Sequence, residues 1–480
     1  MRAVAFSILL LATVALAQPK HPYDDALESL KQRNAAEHAA PANADRKVWD
    51  YVIADKKAGT VTVMAFASVI KPTDPVEFFV CTTDSGKDYE SLAVTPARPS
   101  DIKAAMQFIG LKPGLPIGPE KNRYWPRGQR ITLTFDIGSK PTRAEDLVQD
   151  TNTKAPLARS GLVFTGSYDR TDDEGKTTLA ADVLDAKPIA PLYNDPAALL
   201  DVPRQATQSV VYGFQKPSAA FTFKAGEVVN LTFAAASGED AVAEGSLTVA
   251  VGRAAGKTTY VIKDVAGAIG PHDLARREKE LPRPVGDLPV LIVLIEKLST
   301  GPVELFTRVT VDPAVPVSDV AALYGVLQSI ENGRGVKLDP PADGELFHRA
   351  FFPKPEWRDR STRLGEPWEL FLSRGPDAKL VAKLERAVDN PDRADGTPKF
   401  VVESTVPPDP AAFVKTVNDN ASRWSKAIFV YPPADLTYGE LMDWVRPVLA
   451  TYPRVFVFPT DEAGEKPATR PAATRTLDAK

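Results

Sequence analysis

The residues best suited to chemistry lie in one short stretch, 81–91, which reads CTTDSGKDYES. Cys81 is the one cysteine in 480 residues, and a thiol becomes a nucleophile or a redox centre when a nearby base or cation lowers its pKa. Two carboxylates on one face of a strand can share the work of glycoside hydrolysis. The candidate ligand-binding residues are therefore Cys81, Asp84, Lys87, Asp88, Tyr89 and Glu90.

Each of these residues also has a structural explanation. Cys81 ends the apolar run 76–80, which predicts a strand, and a free cysteine in such a strand is usually buried and inert. Asp88, Tyr89 and Glu90 alternate, so on a strand both acids would face solvent and the tyrosine would turn into the core. We favour this interpretation and predict no catalytic residue here. A hydrolase that uses the acids, and a redox or ligand-binding role for Cys81, are the alternatives.

The sequence lacks the common catalytic and metal-binding patterns. Its four histidines are His21, His38, His272 and His348. None has another histidine or a cysteine at ligand spacing, which argues against a zinc site and a Ser-His-Asp triad. No dinucleotide, phosphate-loop or serine-hydrolase motif occurs at a strand-to-helix junction. The acidic segment 169–176 misses the spacing of a calcium loop and predicts a hairpin turn. We expect no cofactor and no metal.

Composition and charge restrict the class of protein. The formal net charge of −4 argues against binding to nucleic acid, which requires a basic surface. Residues 1–17 combine Arg2, an apolar run and an Ala-Leu-Ala ending, as a secretory signal peptide does. The longest later apolar run, 288–295, has the length of a strand and is too short to span a membrane. We expect a protein exported to the periplasm or the extracellular space, with no integral membrane span after signal removal.

The first half of the chain predicts mostly strands. Residues 18–44 read as a polar tether, and 45–236 as a β-rich domain. One helix is expected inside this domain at 100–109, with Ser100 as its N-cap and Gly110 as its left-handed stop. The predicted strands are 58–70, 76–81, 91–95, 131–137, 161–168, 177–184, 209–214 and 227–234.

The second half contains an internal repeat. Residues 309–340 align without gaps with 429–460, at a constant offset of 120. Each copy predicts a strand, a proline-containing loop, an amphipathic helix and a closing strand, and helix formers at 271–281 and 410–424 precede the copies. The predicted segments are module 1 (240–340), a linker (341–361), module 2 (362–462) and a disordered tail (463–480). The expected fold class is α+β multidomain: a β-rich N-terminal domain with one inserted helix, then two duplicated modules of a small sheet and two helices.

The order of motifs in the first half resembles the YdjY domain of exported bacterial proteins. Within 81–114, a strand ending in cysteine, a Gly-Lys turn, Glu-Ser-Leu, Pro-Ser-Asp-Ile and Gly-Leu-x-Pro-Gly follow one another. Further similar segments lie at 162–167, 194–203 and 223–228, so the resemblance covers about 45–235. That family often has histidine where this chain has Tyr89, and any function of that histidine would be lost here. The resemblance implies a domain and no particular reaction.

Both modules are similar in pattern to the extracytoplasmic domain of the ExbD/TolR family, where a short polar-proline turn also leads from a strand into a helix and a final strand. That family has a membrane helix with a proton-coupling acid, which this chain lacks after its signal, so the resemblance implies the fold alone. We expect a non-catalytic scaffold or binding protein of the cell envelope, whose partner is an unknown envelope protein or glycan. The alternative is a cell-wall or carbohydrate-processing hydrolase that uses the acids of the 84–90 hairpin.

Overall fold

The structure of the protein is a computed structural model. It describes residues 23–41, 43–118, 123–137, 140–267, 283–299, 303–352, 367–389, 400–420, 426–460 and 474–476. The predicted signal peptide, the predicted helix at 271–281 and most of the predicted tail lie outside the described residues. Within the described ranges, no helix combines the length and the apolar character needed to cross a bilayer.

The N-terminal domain is built on one large sheet. The strands of the domain are β1 (Arg46–Trp49), β2 (Val52–Asp55), β3 (Thr60–Ala67), β4 (Phe78–Thr82), β5 (Ser91–Thr95), β6 (Arg130–Ile137), β7 (Lys140–Arg143), β8 (Val148–Asp150), β9 (Leu162–Phe164), β10 (Asp169–Thr171), β11 (Thr177–Leu179), β12 (Pro188–Pro191), β13 (Leu200–Asp201), β14 (Gln215–Pro217) and β15 (Val228–Ala235). Outside the large sheet, β8 pairs with β14 and β10 pairs with β11. The order along the main sheet is β12-β4-β5-β3-β15-β6-β9-β13, with β2 also on β3, β1 on β2 and β7 on β6. Strands β10 and β11 form the hairpin predicted around 169–176. The prediction of a β-rich first domain is confirmed.

The prediction of a hairpin at 81–91 is wrong, because β4 and β5 are parallel neighbours. Phe78 lies opposite Ser91, so the chain must return from the end of one strand to the start of the next through residues 83–90. We call this segment the crossover. Gly86 in it has a φ of 64°, and Asp88–Glu90 forms a 3₁₀ turn instead of a strand. The two acids at the ends of this turn therefore do not share a strand face.

Helix α1 (Asp24–Ala39) lies within the predicted tether and packs on the main sheet. Leu30 of α1 is fully buried in a cluster with Phe66 of β3 and Cys81 of β4. The guanidinium of Arg33 donates a hydrogen bond to Oδ1 of Asn230, on β15, over 2.9 Å. Apolar contact and this bond thus hold α1 over the centre of the sheet.

Helix α2 (Pro99–Phe108) confirms the predicted inserted helix, and Gly110 after it has the expected positive φ, 95°. The predicted N-cap is wrong, because Arg98 occupies that position and Pro99 opens the helix. Proline suits the first helical position, where no backbone donor is needed. The next backbone N–H, that of Ser100, is satisfied by the distant carboxylate of Asp182 at 2.9 Å. The domain also contains the short helices α3 (Ala180–Val183) and α4 (Gln208–Val211).

The two modules share one arrangement of elements. Module 1 contains β16 (Ala243–Ala254), β17 (Lys257–Gly267), β18 (Arg283–Val285), α5 (Leu288–Leu298), β19 (Val303–Val311), α6 (Val317–Arg334) and β20 (Lys337–Leu338). Module 2 contains β21 (Trp368–Arg374), β22 (Leu380–Asp389), β23 (Phe400–Thr405), α7 (Pro410–Asp419), β24 (Ala427–Tyr431), α8 (Tyr438–Val445) and β25 (Arg454–Val457). The prediction of disorder is wrong for β26 (Thr474–Thr476) in the tail, because this strand pairs with β23. The sheets run β18-β17-β16-β19-β20 and β26-β23-β22-β21-β24-β25, so the order matches apart from β26.

The run 288–295 forms helix α5, so its interpretation as a strand is wrong. Asp287 caps the helix by accepting a hydrogen bond from the backbone N–H of Val290 at 3.0 Å, and a proline follows in the first turn. Alternating burial would mark a strand, but here Leu291, Ile295 and Leu298 face the core at helical spacing. A continuous apolar run therefore does not distinguish a helix from a buried strand.

The strand predictions at 177–184 and 209–214 are wrong in part, because these segments overlap the short helices α3 and α4.

The two modules pack against each other through their proline-containing loops. Val317 N–H donates to the carbonyl of Leu436 at 2.7 Å, and Pro316 forms a β-bridge with Thr437. At the repeat offset of 120, Val317 corresponds to Thr437 and Pro316 corresponds to Leu436, so the two contacts exchange places. The modules are therefore related by an approximate two-fold axis at this contact. One hydrophobic cluster runs through both modules and includes residues of the linker, among them Phe347 and Phe351.

Candidate functional site

The acids of the crossover have structural partners. The ammonium group of Lys187 forms an ion pair with Asp84. Burial opposes ionisation of Asp84, but Lys187 outweighs it and lowers the pKa of this carboxyl. The hydroxyl of Tyr23 donates a hydrogen bond to Oδ2 of Asp88 over 2.8 Å, which connects the crossover to the N-terminal end of α1. Both acids therefore help to position neighbouring segments.

Lys87, Tyr89 and Glu90 form a local group at the base of the crossover. Lys87 Nζ donates to Oε2 of Glu90 at 3.1 Å. Burial opposes the charge of Lys87, but Glu90 outweighs it and raises the pKa of the lysine. Tyr89 is 49% exposed, with the lysine ammonium 5.6 Å from the centre of its ring. The expectation that Tyr89 turns into the core is therefore wrong. The position at which the resembling family often has histidine lies at the surface in this chain.

Cys81 is fully buried beneath α1. Its Sγ lies 2.9 Å from Oγ of Ser91, and the hydroxyl of Ser85 donates to it at 3.1 Å. Burial raises the pKa of the thiol to about 11, so the reactive thiolate is scarce near neutral pH. Burial thus outweighs the contacts with Ser85 and Ser91, which lower the pKa, and the protonated, unreactive form is favoured.

We expect Cys81 to resist thiol labelling in the folded protein, because it is buried and protonated. An aromatic disulfide reagent at neutral pH should leave the native chain unmodified and should react with its single thiol after unfolding in guanidinium. Labelling of the native protein at the rate of the unfolded chain would contradict this account and would favour a redox role.

A carboxylate pair lies at the start of β4 and β5. In the parallel register Phe78 pairs with Ser91, so the residues just before them, Glu77 and Glu90, lie side by side. The backbone N–H of Glu77 donates to the carbonyl of Glu90 at 2.8 Å. Only 1% of Glu77 and 6% of Glu90 is exposed. Gln208 donates to Oε2 of Glu77 at 2.9 Å, whereas Oε1 has no hydrogen-bond partner among the described residues. Burial raises the pKa of Glu77, and the charge of Glu90 adds to this effect.

An open cleft lies where the N-terminal domain meets module 1. Its larger part has a volume of about 340 Å³ and its smaller part about 240 Å³. Both parts are lined by Arg130, Ser160, Glu304, Gly335 and Lys337. The larger part has an apolar floor that includes Phe79, Leu157, Leu162, Leu192 and Val202. We call the two parts together the interdomain cleft, and its size is that of a small-molecule site.

Two buried cations face one carboxylate in the interdomain cleft. Arg130 and Lys337 are each 7% exposed, and both form ion pairs with Glu304. Lys337 lies opposite Phe306 in the parallel pair of β19 and β20, and Glu304 is two residues before Phe306 on the same strand face. The sheet register thus places Lys337 within reach of Glu304. Burial lowers the pKa of Lys337 to about 8.

Arg204, which follows β13, adds another cation to the larger part of the cleft. It forms no ion pair with the part of the chain that the structure describes; burial lowers its pKa, and the charge of Asp150 opposes this effect. The other acid there, Glu145, is bound by Arg143 at 2.8 Å. Arg143 also forms an ion pair with Asp240, so it does not serve Glu145 alone. Three cations, Arg130, Arg204 and Lys337, thus line the larger part of the cleft against two acids, Glu304 and Glu145.

A buried carboxylate, Glu331 of α6, fixes the N-terminal domain to module 1. The indole N–H of Trp125 donates to its Oε1 at 2.7 Å. Nε2 of His348 lies 2.6 Å from Oε2, and Arg349 donates to the same oxygen at 2.9 Å. Burial opposes ionisation of Glu331, but these partners outweigh it and lower its pKa, whereas burial lowers the pKa of His348. Two bonds of this network thus cross the interface, that of Trp125 to Glu331 and one that Arg349 donates to Oε1 of Gln205 at 3.1 Å.

The sequence interpretation missed Glu77 and the charged residues of the cleft. Glu77, Glu304 and Lys337 each have apolar neighbours on both sides, in Val-Glu-Phe, Val-Glu-Leu and Val-Lys-Leu. A charge inside an apolar strand has to be paired or functional, so this pattern was a usable signal. Arg204 gave no comparable signal, because it lies in a loop. Among the described residues, no cluster of three or more His, Cys, Asp or Glu could hold a metal ion.

A family model, that of the YdjY domain, matches residues 52–194 of this chain. The match contains β4, the crossover, β5 and the cleft residue Arg130, so the predicted resemblance is confirmed for this region. The similarity predicted for 45–51 and 195–235 stays a prediction. No curated protein matches the chain at a significant level.

Proposed function

We propose that the protein is an exported, non-catalytic binding protein of the cell envelope and that its ligand occupies the interdomain cleft. Residues 1–17 serve as its signal peptide. The observation that most supports the proposal is the cleft itself, whose larger part of about 340 Å³ combines an apolar floor with buried charged groups. Apolar walls with a few fixed polar groups are the usual composition of a ligand site.

The contacts of the crossover support a structural role for the stretch 81–91. A hydrolase needs two carboxyl groups that substrate can reach. Glu90 is almost fully buried, Asp88 is bonded to Tyr23, and the exposed Asp84 is paired with Lys187. A nucleophilic or redox cysteine needs a lowered pKa, whereas burial raises that of Cys81. The binding proposal needs neither group to react.

We further propose that the modules are TolR-like in fold and arose by duplication. Their matching order of strands and helices supports this, as does the near two-fold contact between the loops before α6 and α8. Gly439 in that contact is approached so closely that an added Cβ would lie 2.8 Å from Cβ of Pro313. The paired modules then serve as the scaffold on which the N-terminal domain rests.

Filling the cleft tests the binding proposal. Ala158 is exposed and lines the larger part, so Ala158→Trp should occupy the space of a ligand. Ala155→Trp, three residues earlier and not in the lining, is the matched control. After incubation with envelope extract and washing, native mass spectrometry should detect a bound ligand on the wild type and on Ala155→Trp, and none on Ala158→Trp. No ligand on the wild type, or equal retention by Ala158→Trp, would count against the proposal.

The hydrolase alternative makes a different prediction for the crossover. Alanine at Asp84, Asp88 and Glu90 should abolish activity on cell-wall substrates and leave folding intact if these acids are catalytic. On the binding proposal, the same triple variant retains the ligand of the cleft and has a lower free energy of unfolding, because it loses the contacts with Lys187 and Tyr23.

A further inference from the structure

We propose that the larger part of the interdomain cleft binds a small amphipathic carboxylate, whose head group contacts Arg204, Arg130 and Lys337 and whose apolar body lies on the floor of the cleft. This inference rests on the proposed binding function, because it names the chemical class of the ligand for that same site.

The distribution of charge supports an anionic head group. Arg130 and Lys337 share the carboxylate of Glu304 as their one ion-pair partner among the described residues, and the nearby Glu244 is itself paired with Arg127. A buried charge without a counter-charge is unfavourable, and the lowered pKa of Lys337 is consistent with that cost. Arg204 adds a cation that forms no ion pair with the described residues, although the charge of Asp150 partly offsets the effect of burial on its pKa. A carboxylate placed between these groups would neutralise part of the surplus.

The hydrogen-bond donors support a carboxylate. A guanidinium has five N–H donors, and those of Arg130 bond only the carbonyl of Ser160, at 3.0 Å, and Glu304 among the described residues. Arg204 has no hydrogen bond to the described part of the chain and so offers its whole planar fork. Arginine forks match the two oxygens of a carboxylate, which makes this head group a good fit.

The floor of the cleft supports an apolar body. Five apolar side chains of the N-terminal domain line it, namely Phe79, Leu157, Leu162, Leu192 and Val202. Burial of a hydrocarbon chain on such a surface contributes about 25 cal/mol for each Å² removed from water. The volume of about 340 Å³ restricts the body to a short alkyl chain or a small ring.

The smaller part of the cleft is a weaker candidate for the anion. It is lined by Glu239 and Asp240 as well as by Arg159, which is itself paired with Asp146 at 2.6 Å. These acids offset the cations there. The structure therefore assigns the head group to the side of the cleft that contains Arg204.

A charge series of eight-carbon ligands tests the inference on the full chain. Octanoate, octanol and octylamine share one apolar body and differ in head group, and isothermal titration calorimetry measures the affinity of each. Octanoate should bind at least about tenfold more tightly than either of the others, a ratio that one charge-assisted contact supplies.

Two variants locate the head group. Arg204→Gln breaks no ion pair with the described residues and should fold normally, and it should weaken octanoate binding about tenfold. Lys337→Met should have a similar effect, because Arg130 still pairs with Glu304 in that variant. Arg170→Gln, at an exposed position on β10, is the matched control and should bind octanoate as the wild type does.

The outcomes separate this inference from the proposed function. Equal affinity for octanoate and octanol, or unchanged octanoate binding in Arg204→Gln and Lys337→Met, would overturn the inference. Retention of a neutral envelope ligand in the cleft would then leave the proposed binding function intact. Failure of all three probes, together with a wild type that retains no envelope ligand, would overturn both.

Discussion

Glu331→Leu should lower the free energy of unfolding by about 3 to 5 kcal/mol, the cost of breaking a buried charge network by removing one partner. The carboxylate accepts hydrogen bonds from Trp125 and Arg349 and contacts His348, all of them in or near the interface between the N-terminal domain and module 1. Leucine accepts none of these bonds. Urea unfolding monitored by tryptophan fluorescence measures the loss.

Two further variants distinguish the network from a general effect of substitution. Glu331→Gln keeps an acceptor for the indole N–H of Trp125 and should lose less stability than Glu331→Leu. Glu174→Leu, in the exposed turn between β10 and β11, should stay within about 0.5 kcal/mol of the wild type. A Glu331→Leu variant as stable as Glu174→Leu would show that the interface does not depend on this carboxylate.

Leu30→Ala should destabilise the N-terminal domain by about 2 to 5 kcal/mol, because the side chain is fully buried between α1 and the sheet. The same change should release α1 from Cys81, so the thiol should label faster in native conditions than in the wild type. Chemical unfolding and the rate of thiol labelling are the two measurements.

Leu27→Ala is the matched control for Leu30→Ala, because it makes the same substitution in the same helix at a half-buried position. It should lose less stability and should leave Cys81 protected. Equal effects of the two variants, or a Leu30→Ala protein with the labelling rate of the wild type, would show that α1 does not cover the cysteine.

Several elements were predictable because their signals are local. The hairpin at 169–176 and the inserted helix that ends before Gly110 follow from turn residues and helical spacing. The order of elements in both modules was visible in part, since the repeat at an offset of 120 preserves the strand, loop, helix and strand pattern. Local patterns therefore carried the fold class.

Other features depend on tertiary contacts that the sequence does not express. The short Gly-Lys segment favoured a hairpin. In the structure β5 lies between β3, to which it is antiparallel, and β4, to which it is parallel, and this placement depends on tertiary contacts. Helix α5 and a buried strand have the same apolar run, and the cap at Asp287 was the overlooked signal. The cleft needs two domains to form, so no single segment predicts it, although Lys337 and Glu304 inside apolar strands indicated buried pairing.

Photo-crosslinking from two positions tests the central claim, that the ligand site is the interdomain cleft and not the stretch 81–91. Benzoylphenylalanine can replace Ala158 at the cleft or the half-exposed Tyr89 at the crossover. Irradiation in envelope extract, followed by mass spectrometry, should yield a ligand adduct from position 158 and none from position 89. An adduct from position 89 alone would contradict the account and would place the function in the crossover.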